Sequence, residues 1–274
     1  MFRIFLVMTL IATAASAQDR RPSHCIALAE ATPGMQYLKT VAFGDPLEEF
    51  TVRLNYVAHA TFLIETPGGL SVATDYTGFL GITDLVPTIA TMNRAHESHW
   101  TGSPDPRIPN VLPGWGSDEG GIAHNLDLGE MLVRNVTTDI RSRFGDGIEK
   151  NGNSIFVFEV AGLCIGHLGH LHHEPDAAQY AALGRLDVVM APVDGGLTLD
   201  RPAMIRVLKR IRASLVIPMH WFGSYNLDAF LMAMSQDFDI ERASEPFVEV
   251  SLRTLPSRPT ILVMQPRFLR EDQE

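Results

Sequence analysis

The stretch NSIFVFEVAGLCIGHLGH, residues 153–170, decides how this chain folds. Two apolar runs meet at Ala161-Gly162, a turn pair, so they read as a hairpin of buried strands. At the exit of that hairpin His167, His170, His172 and His173 fall within seven positions. A polar loop and the corner of a metal site both fit such a cluster. The choice rests on whether other parts of the chain bring ligands to the same place.

Strands precede the hairpin. TVRLNYVAHATFLIETPGGLSVATDY reads as strand, strand, turn at Pro67-Gly68-Gly69, and strand. LVPTIATMN is a short strand that ends just before His96 and His99, and MLVRNVTT is another strand. Residues 100–124, rich in Gly, Pro and Asp, read as a long loop, a length that compact domains reserve for function.

After residue 174 helices alternate with strands. Pro175 can open a helix that Gly184 closes. LDVVMAPV is a buried strand. Asp200 can cap a helix whose Met204, Ile205, Val207, Leu208 and Ile211 have helical spacing. LVIPMH is a strand ending at His220, and Asn226 can cap a helix running through Met234. FVEVSLRTL and TILVMQ are late strands. Sheets packed together and covered by helices satisfy this order.

Composition narrows the function. The chain has 274 residues, enough for one large domain, and 46% are apolar. A formal net charge of −10 argues against a nucleic-acid partner, which calls for a basic face. Residues 1–17 have a short basic start, an apolar run from Ile4 to Ala14 and the small-x-small pattern Ala15-Ser16-Ala17. They read as a signal peptide, which makes the protein secreted or periplasmic. The run is too short to span a bilayer, and no later segment is long and apolar enough. Of the two cysteines, Cys164 lies in the apolar run AGLCIG and reads as a free core thiol, although an oxidising compartment permits a disulfide with Cys25.

Ten histidines are present, and His96, His99, His170 and His220 each sit where a strand gives way to a loop. A single such histidine is more often a hydrogen-bonded surface residue. His-x-x-His at 96–99, His-x-x-His at 167–170 and a third site after Ile217-Pro218-Met219 form a joint pattern on three strand ends. Imidazoles favour Zn, Cu, Fe or Ni over Mg or Ca, with zinc first. Because side chains alternate along a strand, His167 falls on the face opposite His170 and is a secondary candidate.

HATFLIETPGG followed by ATDY, then MNRAHESHW, NSIFVFEVAGLCIGHLGH, LDVVMAPVDGGLTLD and LVIPMHWFG resemble, in that order, the metallo-β-lactamase-fold hydrolases, in particular the branch of Zn-dependent hydrolases that includes lactonase-like proteins. The resemblance covers about residues 50–265 and implies an α/β fold, a four-layer αββα sandwich with the metals on one rim. It divides the chain into the signal peptide 1–17, an extension 18–46, the domain 47–266 and a tail 267–274.

The resemblance also marks departures. The family's His-x-His-x-Asp-His motif falls here on Arg94, His96, Ser98 and His99. The metal-bridging Asp of its His-Leu-Gly-Asp is His170, and a further family histidine falls on Thr138 or Asp139. The implied ligands are His96, His99, His170 and His220, with Asp139 another secondary candidate. Asp75 and His59 are implied in supporting positions, and Trp100, Trp221 and Phe222, each beside a ligand, can wall a substrate pocket or pack in the core. Two lost carboxylates favour one metal ion over a pair. The expected activity is that of an exported hydrolase using metal-bound hydroxide on an ester, lactone, amide or phosphodiester of a small molecule. The alternative is a non-catalytic metal- or ligand-binding protein that keeps the fold.

Overall fold

The computed structural model describes residues 23–27, 45–93, 96–117, 119–142 and 147–271. The signal-peptide reading of residues 1–17 and the Arg94 substitution lie outside the described residues. In chain order the elements begin with α1 (His24–Ala27), β1 (Val52–Ala58), β2 (Thr61–Glu65), β3 (Ser71–Ala73), β4 (Gly81–Ile82) and β5 (Ile89–Met92). Next come β6 (Asn110–Pro113), β7 (Asn125–Asp127), β8 (Met131–Arg141), β9 (Ile148–Val160), β10 (Leu163–His167) and α2 (Ala177–Leu183). The remainder is β11 (Val188–Pro192), α3 (Arg201–Ile211), β12 (Leu215–Met219), α4 (Ser224–Met234), β13 (Asp239–Arg242), β14 (Phe247–Val250), β15 (Thr260–Val263) and β16 (Leu269–Arg270).

One six-stranded sheet runs in the order β14-β1-β2-β3-β5-β6, and an eight-stranded sheet runs β13-β15-β12-β11-β10-β9-β8-β7. The residues of the opening hairpin explain how the sheets stack. Side chains alternate across a strand. Phe156, Phe158, Leu163 and Ile165 therefore point between the sheets, where they meet Leu54, Phe62 and Ile64. Ile155, Val157 and Cys164 point the other way, into a second core with Leu183 of α2, Met204 and Val207 of α3, and Phe230 of α4. Both faces of β9 and β10 are buried, which is why their sequence is apolar at nearly every position. Fully burying a side chain such as Phe156 contributes about 1.5–3 kcal/mol. Among the described residues, the outer face of the six-stranded sheet is covered by Tyr76, Leu80, Ile108 and Leu269.

Helix ends follow the sequence in part. Asp176 caps α2 with a capping box through Gln179, and Gly184 ends it at φ 68°. Asp200 caps α3 by accepting from the Ala203 N–H. The last helix starts at Ser224, so Asn226 lies within its first turn and does not cap it.

Two readings are corrected, and two further strands, β13 and β16, are added to the pattern. Cys25 and Cys164 are paired in a disulfide, so Cys164 is not a free thiol. The pairing depends on a segment remote in sequence: the Ser23 Oγ and the His24 N–H both reach Glu159 on β9, which lays Cys25 beside β10. Residues 100–124 are not one loop, because Asn110–Pro113 pairs in parallel with β5. The strand β13 carries a weak apolar signal and forms only through its pairing with β15. Residues 267–271 are not a loose tail: Arg267 N–H donates to Tyr56 O, Leu269 is buried, and β16 pairs with β4.

Candidate metal centre

Three strand ends and one turn deliver histidines to one rim. His59 occupies the β1–β2 turn at φ 39°. Its carbonyl accepts from the Tyr56 hydroxyl at 2.8 Å and from the His220 N–H at 2.9 Å. His96 and His99 flank a 3₁₀ turn, Glu97–His99, just beyond β5. His220 directly follows β12, at φ 56°. His170 follows Gly169, whose φ is 59°. A Cβ at 169 would lie 2.4 Å from Asn93 Nδ2 and 2.5 Å from Asn153 Oδ1, so only glycine fits this bend. The bend breaks strand alternation and turns His170 onto the rim. Left-handed backbone at His59, Asp75 and His220 is costly for residues with a side chain, and such strain gathers at functional sites.

The rings converge. One nitrogen from each of His59, His96, His99 and His220 lies within 4.8 Å of the others. His170 Nε2 stands 2.9 Å from His96 Nε2, and its ring is 4.7 Å from that of His99 and 4.8 Å from that of His220. Nitrogens sharing a tetrahedral ion at about 2.1 Å stand about 3.4 Å apart, so this spacing suits ligands of one centre. His59 Nε2, His99 Nε2 and His220 Nε2 are buried with no hydrogen-bond partner. Unpaired buried polar atoms are rare, and three aimed into one cluster fit a cation better than any internal contact.

Three of the rings, those of His96, His99 and His220, are held from behind. Asp75 Oδ2 lies 2.5 Å from His99 Nδ1, and Asn93 donates to the other Asp75 oxygen at 2.8 Å. Ser98 Oγ is 2.8 Å from His96 Nδ1, so the serine at the family's Asp position orients the neighbouring imidazole. Asp194 Oδ2 is 2.9 Å from His220 Nδ1, an ion-pair distance off the line of a hydrogen bond, so it acts on the ring by charge. Asp194 is itself fixed by the Gly196, Leu197 and Thr198 N–H groups and the Thr198 hydroxyl. Second partners of this kind set ring orientation and tautomer at metal sites.

Electrostatics keep the His59, His99 and His170 rings neutral. Burial, and then the neighbouring histidines, hold His99 and His170 far below the ordinary imidazole range and bring His59 down to about 3. Burial raises Asp75 to about 6, against the pull of His167 and of the Asn93 hydrogen bond. Asp194 moves the other way: burial would raise it, but the His220 ring and its bonds to Thr198 and Gly196 hold it well below the usual carboxylate range. A neutral imidazole presents the lone pair that a metal takes.

Other predicted residues stand elsewhere. His167 points between the sheets: Nε2 meets Ala60 O at 2.8 Å and Nδ1 accepts from the Gly169 N–H, leaving no free nitrogen for a metal. Asp139 is taken by Lys150 Nζ at 2.6 Å and the Asn151 N–H at 3.0 Å and is not among the grouped donors. Thr138 accepts from Asn153. The Trp100 ring packs on Trp115, and Trp221 packs on the helical core, so the outward aromatic beside the centre is Phe222, 5.1 Å from the His59 ring. His172 Nδ1 accepts from the Arg141 N–H. Asp194 went unread in the sequence. Its signal was a carboxylate between a buried strand and Gly195-Gly196, at the same rim as the strand-end histidines.

Comparison with known proteins agrees with this geometry. Residues 53–220 match the family described as Beta-lactamase superfamily domain, and the chain belongs to that family. Its fold is that of the metallo-β-lactamases. A UPF0173 metal-dependent hydrolase of Methanosphaerula palustris is 26% identical over 224 residues, covering 75% of this chain and 97% of that protein. A second, from Carboxydothermus hydrogenoformans, is 26% identical over 102 residues, which is 36% of this chain and 45% of the relative. The crystal structure of a Zn-dependent hydrolase of the metallo-β-lactamase superfamily from Thermotoga maritima superposes with a TM-score of 0.53 at 24% identity, over 78% of this chain and 98% of that one. A metallo hydrolase of Ignicoccus hospitalis also superposes at 0.53, with 17% identity, over 73% and 99%.

Proposed function

We propose that this chain is an exported hydrolase that works with one zinc-class ion held by His96, His99, His170 and His220, with His59 beside them. One observation carries the reading: histidines from separate strand ends and one turn bring their nitrogens together at one rim, those of His59, His99 and His220 without a hydrogen-bond partner. The donor set is all imidazole, which suits Zn, Cu, Fe or Ni and not Mg or Ca. Bound there, such an ion polarises a carbonyl or phosphoryl oxygen and makes water a nucleophile near neutral pH.

The chain's own groups prepare that chemistry. Asp75 holds the proton of His99 on Nδ1 and so keeps the Nε2 lone pair turned to the centre. Asp194 does the same for His220 by charge. Ser98 fixes the His96 ring. No carboxylate stands within the grouped donors, so nothing offsets the charge of a second dication, which supports a single ion. Phe222, 61% exposed beside His59, offers an apolar surface to a small substrate. The substrate carries an ester, lactone, amide or phosphodiester. Export is supported by the N-terminal pattern of residues 1–17 and by the Cys25–Cys164 disulfide, which an oxidising compartment maintains. Among the described residues no helix is long and apolar enough to cross a membrane.

The test is elemental analysis after dialysis against a weak chelator, paired with a panel of chromogenic esters, lactones, β-lactams and phosphodiesters. The parent retains about one transition metal per chain, and His99→Ala retains well under half of that. His170→Asp restores a carboxylate and moves occupancy towards about two. A parent without metal refutes the reading. Metal without turnover on any substrate leaves a binding protein in its place. Mass spectrometry of the exported protein finds Gln18 as its first residue.

A further inference from the structure

A cleft of about 660 Å³ opens beside the histidine centre, between Val57 to His59 on one side and Arg267, Phe268 and Arg270 on the other. His59 belongs both to the cleft wall and to the converging rings, so the two adjoin at that residue. We propose that this cleft is the substrate's seat and selects a small organic acid, its anionic group held by Arg267 and Arg270 and its apolar body laid on Phe268 and its aromatic neighbours. The proposal rests on the hydrolase reading only for the fate of the ligand, not for its binding.

Charge points to an anion. The protein as a whole carries a formal net charge of −10, yet the cleft is lined by two arginines and no carboxylate. Arg270 makes no side-chain ion pair or hydrogen bond among the described residues, and the carboxylate next to it in sequence, Glu271, is occupied by the Thr83 hydroxyl and the Asp84 N–H. Arg267 is held 3.0 Å from Glu245 in a pair open to solvent. Such exposed pairs are weak and exchange readily for a better anion. Arginine presents planar, forked donors suited to a carboxylate.

Shape points to an apolar body. Phe268 and Phe79 stand edge-to-face at 5.2 Å, and both are about half exposed, at 47% and 53%. Phe222 packs against His59, which also lines the cleft. An exposed phenylalanine in the cleft wall, with exposed aromatic neighbours on two of its lining residues, is the kind of apolar surface that marks a binding site. The volume falls in the range of small-molecule pockets, about 300–1,000 Å³.

The wall is also fixed in advance. Arg267 N–H donates to Tyr56 O, and the Tyr56 hydroxyl in turn fixes the His59 carbonyl. Leu269 N–H donates to Leu80 O, and β16 lies so close to β4 that a Cβ at Gly81 would sit 2.1 Å from Leu269 O. Because the two arginines are tied to β1 and β4, little ordering remains when a ligand enters.

The experiment is calorimetric titration of 4-phenylbutyrate and its neutral counterpart 4-phenylbutanol into the full protein, as isolated and after chelation. The acid binds at least about tenfold more tightly than the alcohol, and the difference shrinks at high salt. Arg270→Gln and Arg267→Gln each remove most of that preference. Glu245→Gln releases Arg267 and tightens the acid further, a gain that misfolding does not produce. Preference for the acid persists after chelation. Equal affinities for acid and alcohol overturn the proposal, as do arginine variants that bind like the parent. An acid that binds only the metal-loaded protein also overturns it, while leaving the metal reading intact. A chain that holds no metal but keeps its arginine-dependent preference refutes the hydrolase reading and sustains the cleft.

Discussion

Replacing both Cys25 and Cys164 by alanine separates two opposed readings of the same residues. The apolar run around Cys164 favours a free thiol, whereas the fold pairs it with a cysteine 139 residues away. A cross-link over that separation removes loop entropy from the unfolded chain worth about 5 kcal/mol in the chain-entropy treatment. Strain-free removal lowers stability by up to that amount, since the Ser23 and His24 contacts to Glu159 keep the folded segment in place. Unfolding entropy for a chain of this length is about 0.5 kcal/mol/K, so the melting temperature falls by about 10 °C. Alanine is the right replacement because both sulfurs are fully buried and serine would add a buried hydroxyl. The assay is scanning calorimetry of parent and variant at matched metal content, without thiol reductants, which would strip metal. Thiol titration in denaturant accompanies it and finds no reactive thiol in the parent. Two titratable thiols in the parent, with melting temperatures equal to about 1 °C, would show the pairing to be wrong.

Other outcomes follow from single contacts. Burial raises the Glu159 carboxyl, but the hydrogen bonds from Arg134 and Ser23 and the charge of Arg134 outweigh it, so its pKa is depressed in the folded state. Its stabilisation is therefore present above about pH 4.5 and lost as pH falls through the folded value, and Glu159→Gln flattens that part of a urea-midpoint-against-pH curve. An unchanged slope rejects the linkage. His167→Phe leaves the Gly169 N–H without a partner and takes from Ala60 O one of its two donors, the Thr74 hydroxyl remaining, at a cost of about 1–3 kcal/mol by urea unfolding, while metal per chain stays at the parent value. Loss of metal with full stability would make His167 a ligand after all. Gly169→Ala drives a Cβ into Asn93 and Asn153 and displaces His170, so it weakens metal retention towards that of His170→Ala, and parent-like retention contradicts this.

Much of the fold was legible because burial writes itself into local pattern. The double-sided apolar runs of β9 to β12 announced strands covered on both faces, and Asp200 marked a helix start by its own side-chain chemistry. Strand-end histidines were visible for the same reason, because a polar residue ending an apolar run marks the place where a sheet reaches its rim. The sequence by itself thus determined the sandwich of sheets and which rim gathers the histidines. Tertiary structure alone decided the rest, since those features depend on partners far away in sequence. Strand alternation already sets His167 apart from His170, but the partners that hold them, the carbonyl of Ala60 for one and the bend at Gly169 for the other, come from the fold. Asp194 gains its role only when β11 and β12 lie side by side and bring it to His220. Cys25 finds Cys164 through Glu159, and Arg267 and Arg270 come to line a cleft with His59 where β16 closes on β4. Local pattern records whether a residue is buried; which residue it then meets is set by chain crossings that no short window contains.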